Sequence, residues 1–289
     1  MPPKNEFQNT IEEMLRLSAT RLPQDVTEAL KVAKENESDS IAEGQLGAIL
    51  KNLRIAREKN APICQDTGIP IFFIKKGQES EFDFDLKKVI EESIEKATES
   101  VPLRPNVVDP LSRKNSGNNL GEKHPLIHIE TQPGKGFEIE LMLKGAGSEN
   151  WSRLFMMKPT SSKEKIKEKV IQTVKEAGGQ TCPPIIIGLG IGGTSEKASL
   201  IAKKALLKPL NKENENDELA NFEKEITESV NELGVGPMGL GGKTTALGTR
   251  IEKAGCHTAS LPVAINFQCW AARRAKAQIK DDGLEIEVP

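Results

Sequence analysis

Cys64, Cys182 and Cys269 are the residues of this 289-residue chain with the most chemistry to offer. Each lies in a non-periodic stretch rich in Gly, Pro or polar residues. The contexts are Pro62-Ile63-Cys64-Gln65-Asp66-Thr67-Gly68, Gly178-Gly179-Gln180-Thr181-Cys182-Pro183-Pro184, and Asn266-Phe267-Gln268-Cys269-Trp270. Three thiolates can hold a cubane iron–sulfur cluster and leave its fourth iron open, a Lewis acid able to grip a hydroxyl and a carboxylate together. The same cysteines can equally be small buried apolar residues, the ordinary role of an unpaired cysteine. With Cys256 they number four, too few and too scattered for a disulfide scaffold. No CxxC pair marks a zinc ribbon or a ferredoxin-type ligand run. Spacing alone does not choose.

Two glycine-rich stretches invite a nucleotide. Gly188-Leu-Gly190-Ile-Gly-Gly193 satisfies GxGxxG, follows an apolar strand and opens a helix, as a dinucleotide fingerprint requires. The second strand, with its acidic end about twenty residues on, would fall in the polar run Asn211–Asp217, which cannot be a buried parallel strand. Bare amides at such a helix start still bind anions, carboxylates and cluster sulfides included. Gly242-Lys243-Thr244 fails as a phosphate loop, because Pro237 stands where the first glycine belongs and removes an amide.

The elements that must position these loops are mixed. Helical spacing dominates the first sixty residues: Phe7, Ile11, Met14 and Leu15 share one face, Val26, Leu30 and Ala33 another, and a third helix runs from about 40 to 60. Pro62 then places Cys64 in a loop, and Ile69 to Ile74 reads as a buried strand. A helix covers Asp85 to Val101, followed by an aperiodic loop over 103–125 whose length signals function. Leu126–Glu130 and Phe137–Leu143 read as a hairpin through Pro133-Gly134-Lys135-Gly136. Helices cover 164–177, 196–207 and 219–233, 184–189 reads as a short apolar strand, 261–265 is apolar, and 211–217 is a solvated connection. With no internal repeat or long linker, the economical architecture is a single large α+β domain over 1–289, with a helical N-terminal region and a small central sheet flanked by helices.

Composition narrows the rest. A net charge of −2 with a pI near 6.1 gives no global attraction for nucleic acid, so a small anion must be caught by local basic groups. No apolar run reaches membrane-spanning length, and the polar start is not a signal peptide, which makes the cytoplasm the expected location.

Several long words occur in a fixed order over roughly 60–275: Cys64-Gln-Asp-Thr-Gly68, Arg104-Pro-Asn-Val-Val-Asp-Pro110, Lys144-Gly-Ala-Gly-Ser-Glu-Asn150, Gly179-Gln-Thr-Cys-Pro-Pro184, Gly188–Gly193, Gly236-Pro-Met-Gly-Leu-Gly-Gly242, and Cys256-His-Thr-Ala-Ser-Leu-Pro262 through Cys269. Together they resemble the α-subunit of the class I fumarate hydratase and L-tartrate dehydratase family, a group of iron–sulfur hydro-lyases. The resemblance implies a [4Fe–4S] cluster on Cys64, Cys182 and Cys269, with Cys256 left as a structural cysteine. It implies substrate contacts from Gln65, Asp66, Arg104, Gly147 and His257, with Asp66 and His257 as the catalytic candidates. It further implies reversible hydration of fumarate to L-malate, the open iron acting as Lewis acid.

These roles suit the chemistry. Arg104 offers a planar fork for a carboxylate, and Asp66 is a credible acid or base in a partly dry site. Each has a plainer reading, turn chemistry for Asp66-Thr67-Gly68, a surface arginine at 104 and a satisfied buried histidine at 257. L-Tartrate dehydration to oxaloacetate is the alternative within the class. A Rossmann-type oxidoreductase and a non-catalytic scaffold are the alternatives outside it. Single-chain members of the family continue into a second domain, so a separate β-subunit completing the active site is expected, in an α2β2 assembly.

Overall fold

The computed structural model describes residues 1–101, 103–280 and 283–287. Helices α1 (Lys4–Thr20), α2 (Gln24–Asn36) and α3 (Ser40–Lys59) lead to β1 (Ile69–Gly77), and α4 (Leu86–Ser100) precedes β2 (Leu126–Gln132) and β3 (Phe137–Lys144). A single helical turn, α5 (Ala146–Glu149), and β4 (Arg153–Met157) are followed by α6 (Lys163–Ala177), β5 (Ile185–Gly192) and α7 (Ser195–Ala205). Then come α8 (Asp217–Asn231), β6 (Ala246–Ala254), β7 (Leu261–Gln268), β8 (Arg274–Lys280) and β9 (Gly283–Glu287). The class is mixed α and β, as expected. The strands divide between a five-stranded sheet, β2-β1-β3-β8-β9, and a four-stranded sheet, β4-β7-β5-β6. Among the described residues no helix is long and apolar enough to cross a membrane.

The chain forms two compact units. The first comprises Met1–Pro23, Asn52–Gly145 and Arg273–Pro289; the second comprises Gln24–Lys51 and Ala146–Ala272.

In the first unit β2 and β3 are not the expected hairpin. β1 lies between them, parallel to β2 and antiparallel to β3. The reason is burial: Pro70 to Ile74 of β1 are all buried, whereas β2 is mostly exposed or half-buried and suits an edge. The Pro133–Gly136 turn does form, but it folds onto the end of β1, where Gly77 N–H donates to Gly136 O at 2.6 Å. α1 and α4 cover this sheet, their apolar stripes meeting β1 and β3 in one core. Phe7, Phe82, Phe84 and Phe137 meet there mostly edge to face, with ring centroids 5.0–5.8 Å apart, each pair adding about 0.5–1.5 kcal/mol beyond its burial. Asp85 caps α4 by accepting Lys88 N–H at 3.0 Å.

In the second unit the glycines of the 188–193 turn serve packing. A side chain on Gly188 would put its Cβ 2.2 Å from Ala202 O, and one on Gly190 would sit 2.1 Å from Ala198 O. Glycine therefore lets α7 lie unusually close to β5, over the small residues Ala198, Ala202 and Ala264. β5 is flanked by parallel β6 and antiparallel β7, which is not a doubly wound sheet. The polar 211–217 run ends as a helix cap: Asn216 accepts Leu219 N–H at 3.0 Å.

Candidate active site

One strand pair positions two of the cysteines. β5 and β7 run antiparallel with Ile186 opposite Gln268, so Cys182, just before β5, and Cys269, just after β7, emerge at the same end. Trp270 N–H donates to Cys182 O at 3.1 Å and ties the two loops together. Cys182 is left-handed, φ 53°, a conformation costing a non-glycine residue roughly 1–2 kcal/mol. Its own N–H holds it there by donating to Gly179 O at 3.0 Å, and Met238 N–H donates to Pro183 O at 2.8 Å. The glycine-rich 234–242 stretch thus packs against the Cys182 turn. Both thiols are half-buried, in no disulfide: shielded but reachable, unlike core cysteines.

The floor beside them is polar. Asn266 Nδ2 donates to Glu149 Oε2 at 3.1 Å and to Ser152 Oγ at 2.6 Å, and Lys203 pairs with Glu149 at 2.6 Å. Asn266 Oδ1 and Gln268 Oε1 are buried acceptors without a partner, an arrangement an ordinary core avoids. At Gly147 a Cβ would stand 3.1 Å from Gln180 O, so α5 and the Cys182 turn meet backbone to backbone.

His257 is not brought to this pair. It sits on the exposed turn before β7, whose eight residues, at about 3.4 Å each, separate it from Cys269. Its Nδ1 accepts Ala259 N–H at 3.0 Å, which makes Nε2 the protonated nitrogen of the neutral ring. Cys256, read as structural, is exposed on the same turn.

The first unit carries the remaining candidates. Cys64 and Asp66 are half-buried and Gln65 is exposed, on a loop anchored where Ile63 N–H donates to Ala19 O at 2.9 Å and Asn52 Nδ2 to Ile63 O at 2.8 Å. Asp66 Oδ1 accepts Gly68 N–H at 2.9 Å and Asn106 Nδ2 at 3.3 Å. The Thr67 hydroxyl bridges to the Arg104 backbone, accepting its N–H at 3.1 Å and donating to its carbonyl at 3.3 Å. The Arg104 side chain itself is exposed. The structure therefore brings Cys64, Gln65, Asp66 and Arg104 onto two strapped segments.

Three residues that sequence reasoning missed complete this unit's site. Asn119, only 2% exposed, is the strap: its Oδ1 accepts Asn106 N–H at 2.7 Å and its Nδ2 donates to Arg104 O at 3.2 Å. Asn106 contacts Asp66 directly and also lines a cavity of about 780 Å³ along the 106–126 segment, beside His124, Lys114 and Lys123. Arg273, 1% exposed, donates from Nη1 to Asp66 O. The length of the 103–125 loop was the available signal for the two asparagines. Arg273 stands in the small-residue run Ala271-Ala272 that leads into β8, with no periodicity to mark it.

Among the described residues, no three His, Cys, Asp or Glu side chains stand close enough to share a single metal ion. A cubane asks for something else, one thiolate per iron. The half-buried thiols at 64, 182 and 269, on constrained loops, fit that donor chemistry.

The model of the family described as fumarate hydratase (fumerase) matches residues 8–278. A Methanocaldococcus jannaschii chain provisionally named L(+)-tartrate dehydratase subunit alpha is 49% identical over 282 residues, covering 96% of this chain and 99% of its own length. The L(+)-tartrate dehydratase subunit alpha of Escherichia coli strain UTI89 is 31% identical over 279 residues, covering 96% and 92%; that of Shigella sonnei is 30% identical over the same span. With nearly its whole length matched, the chain belongs to the class I fumarate hydratase and L(+)-tartrate dehydratase α-subunit family, and is a hydro-lyase.

Proposed function

We propose that this chain is the α-subunit of a [4Fe–4S]-dependent hydro-lyase that reversibly hydrates fumarate to L-malate. The observation that supports the reading is the strapping of the Arg104 backbone to the Cys64–Gly68 loop, with Asn106 reaching Asp66 on the same framework. Cys64, Cys182 and Cys269 would hold the cluster. When bound, it supplies Lewis acidity toward the hydroxyl and carboxylate of the substrate.

The remaining work falls to side chains. Arg104, exposed and forked, binds one carboxylate in two parallel hydrogen bonds. Asp66 moves the proton at the carbon beside the second carboxylate, its carboxyl oriented by Gly68 N–H and Asn106. Gln65 and the Gly147 backbone line the substrate. His257 is a substrate contact on family position; its distance along β7 from Cys269 gives it no step beside its own chain's Cys182 and Cys269.

A separate β-subunit completes the site in an α2β2 assembly, in the cytoplasm. The relatives' designation as subunit alpha supports a partner. Their names also favour a second reading, dehydration of L-tartrate to oxaloacetate. The two differ by one hydroxyl, a distinction a few pocket groups can make.

The test is anaerobic purification of this chain alone and with its β-subunit, measuring iron, sulfide and turnover of both substrates. About four irons per α chain, with fumarate hydration only in the complex, is the expected result. An iron-free complex after reconstitution, or full activity in the lone chain, overturns the corresponding part. Faster turnover of L-tartrate than of malate selects the second reading.

A further inference from the structure

Asn119 is specified twice over. Its backbone is left-handed, φ 59°, a conformation that glycine and asparagine adopt more readily than other residues. Its buried side chain has both donors in use, Nδ2 donating to Thr98 Oγ1 at 3.1 Å and to Arg104 O at 3.2 Å, while Oδ1 accepts Asn106 N–H at 2.7 Å. Glycine would suit the backbone and lose all three bonds. Aspartate would keep the shape and the accepted bond, but would set an acceptor against Arg104 O and against a Thr98 hydroxyl already donating to Ile94 O at 2.7 Å. A short amide meets both demands, and a buried polar group matched this fully specifies one geometry.

What the amide fixes is a whole span of chain. On one side stands α4, packed into the first unit's core through Val89, Ile90, Ile94 and Ala97. Asn118 holds the same helix, its Nδ2 donating to Glu95 Oε1 at 3.0 Å and its carbonyl accepting the Thr98 hydroxyl at 3.2 Å. On the other side stand Arg104, tied to the Thr67 hydroxyl by its backbone, and Asn106, whose Nδ2 reaches Asp66 Oδ1 and donates to Gly68 O at 3.1 Å. The Arg104–Asn106 segment is thus referred to a helix through one side chain. Groups held by regular elements keep tighter geometry than groups on free loops, and the 103–125 loop gains such a hold here.

We propose that Asn119 is a positioning residue for the reaction, its one amide setting both the carboxylate grip of Arg104 and the aim of Asn106 on Asp66. Binding and proton transfer then share a single support. The inference rests on the function proposed above. Because Asn119 acts through two other residues, its loss shows in KM and kcat together.

The test uses the complex with its β-subunit and four variants: Asn119→Gly, Asn119→Asp, Asn106→Ala, and Asn106→Ala combined with Asn119→Gly. Asn119→Gly keeps the left-handed backbone and removes the amide. It is expected to raise KM for L-malate, and the calorimetric Kd for the non-reacting dicarboxylate succinate, about tenfold, and to lower kcat about ten- to a hundredfold, the scale of a misplacement of about 1 Å. Iron content stays at the wild-type value, and Asn119→Asp does no better. Asn106→Ala leaves its own N–H on Asn119 and lowers kcat; adding Asn119→Gly to it lowers kcat little further, since the second residue acts through the first. Losses of kcat that multiply in the double variant overturn the proposal, as a residue that only holds the fold would give them. Wild-type KM and kcat in an assembled Asn119→Gly protein overturn it as well. So does failure of both Asn119 variants to assemble with iron, since the amide would then be a requirement of folding. A wild-type complex that turns over neither L-malate nor L-tartrate sinks the reaction instead, and succinate binding weakened by Asn119→Gly in that complex still upholds the support of Arg104.

Discussion

Replacing Gly190 by alanine separates a packing glycine from a nucleotide-binding one. The added Cβ would sit 2.1 Å from Ala198 O, 2.7 Å from Ala202 N and 2.9 Å from Ile201 Cγ1. Two of these are helix backbone atoms and cannot step aside singly. To regain an ordinary carbon–oxygen distance of about 3.3 Å, α7 must retreat from β5 by roughly the shortfall. A gap of that size forfeits about a quarter to a half of each contact it opens, here those of Ala198 and Ala202 over Ala264. We therefore expect about 3 kcal/mol of destabilisation, the upper end of overpacking costs, which lowers Tm by about 6–12 °C in a protein of this size. The control is Gly44→Ala in α3, where a Cβ meets nothing within 4 Å; it should stabilise by about 0.5–1 kcal/mol. Thermal melts of both variants, at matched iron content, decide the matter. An unchanged Tm for Gly190→Ala, together with NADH binding by wild type that the variant loses, would refute the packing assignment.

Three further outcomes are expected. Cys64→Ser, Cys182→Ser and Cys269→Ser should each lose iron and sulfide and the brown absorption, whereas Cys256→Ser, at an exposed position, should keep them; elemental analysis distinguishes the set. Arg104→Lys should raise KM for L-malate about tenfold with little change in kcat, because a point charge replaces a fork; an unchanged KM would make this exposed arginine an ordinary surface residue. His124 is half-buried, its Nε2 has no partner, and burial holds its pKa below the ordinary value. The unfolded chain takes up this proton near pH 6.5 and the native state only at lower pH, so this part of the stability is whole above about pH 6.5 and falls as pH drops through it. His124→Asn should flatten the loss of Tm on going from about pH 7.5 to about pH 5.5; parallel curves for variant and wild type would remove the histidine from the account.

Local pattern made much of this fold readable. The stripes of α1, α4, α6 and α8 are visible in the spacing of Phe7, Val89, Val170 and Phe222, since a half-buried helix writes its period into the chain. Partner choice was not readable. Nothing near Leu126 says that β1, fifty residues earlier, will take the place beside it, because sheet order follows competition for burial across the whole unit. β4, β6, β8 and β9 escaped notice, although Ala275, Ala277 and Ile279 alternate as a strand should. At the candidate site, the family words pointed to Cys64, Asp66, Arg104 and the other two cysteines. Arg273 and Asn119 act through burial and reach, and such roles leave no mark on composition.

The five-stranded sheet also sets an order of assembly. β3 finds its neighbour β8 only after the intervening 146–272 have been made, and Leu284 N–H closes onto Glu6 Oε1 at 3.1 Å, joining almost the two ends of the chain. While the ribosome works through those residues, β3 offers an unpaired edge along the row that holds Leu141 and Ile139, both fully buried once folding is done. The nascent chain therefore presents a sticky strand while the whole 146–272 stretch is being made. A growing protein of this kind has a use for a chaperone at its N-terminal half until β8 takes its place beside β3.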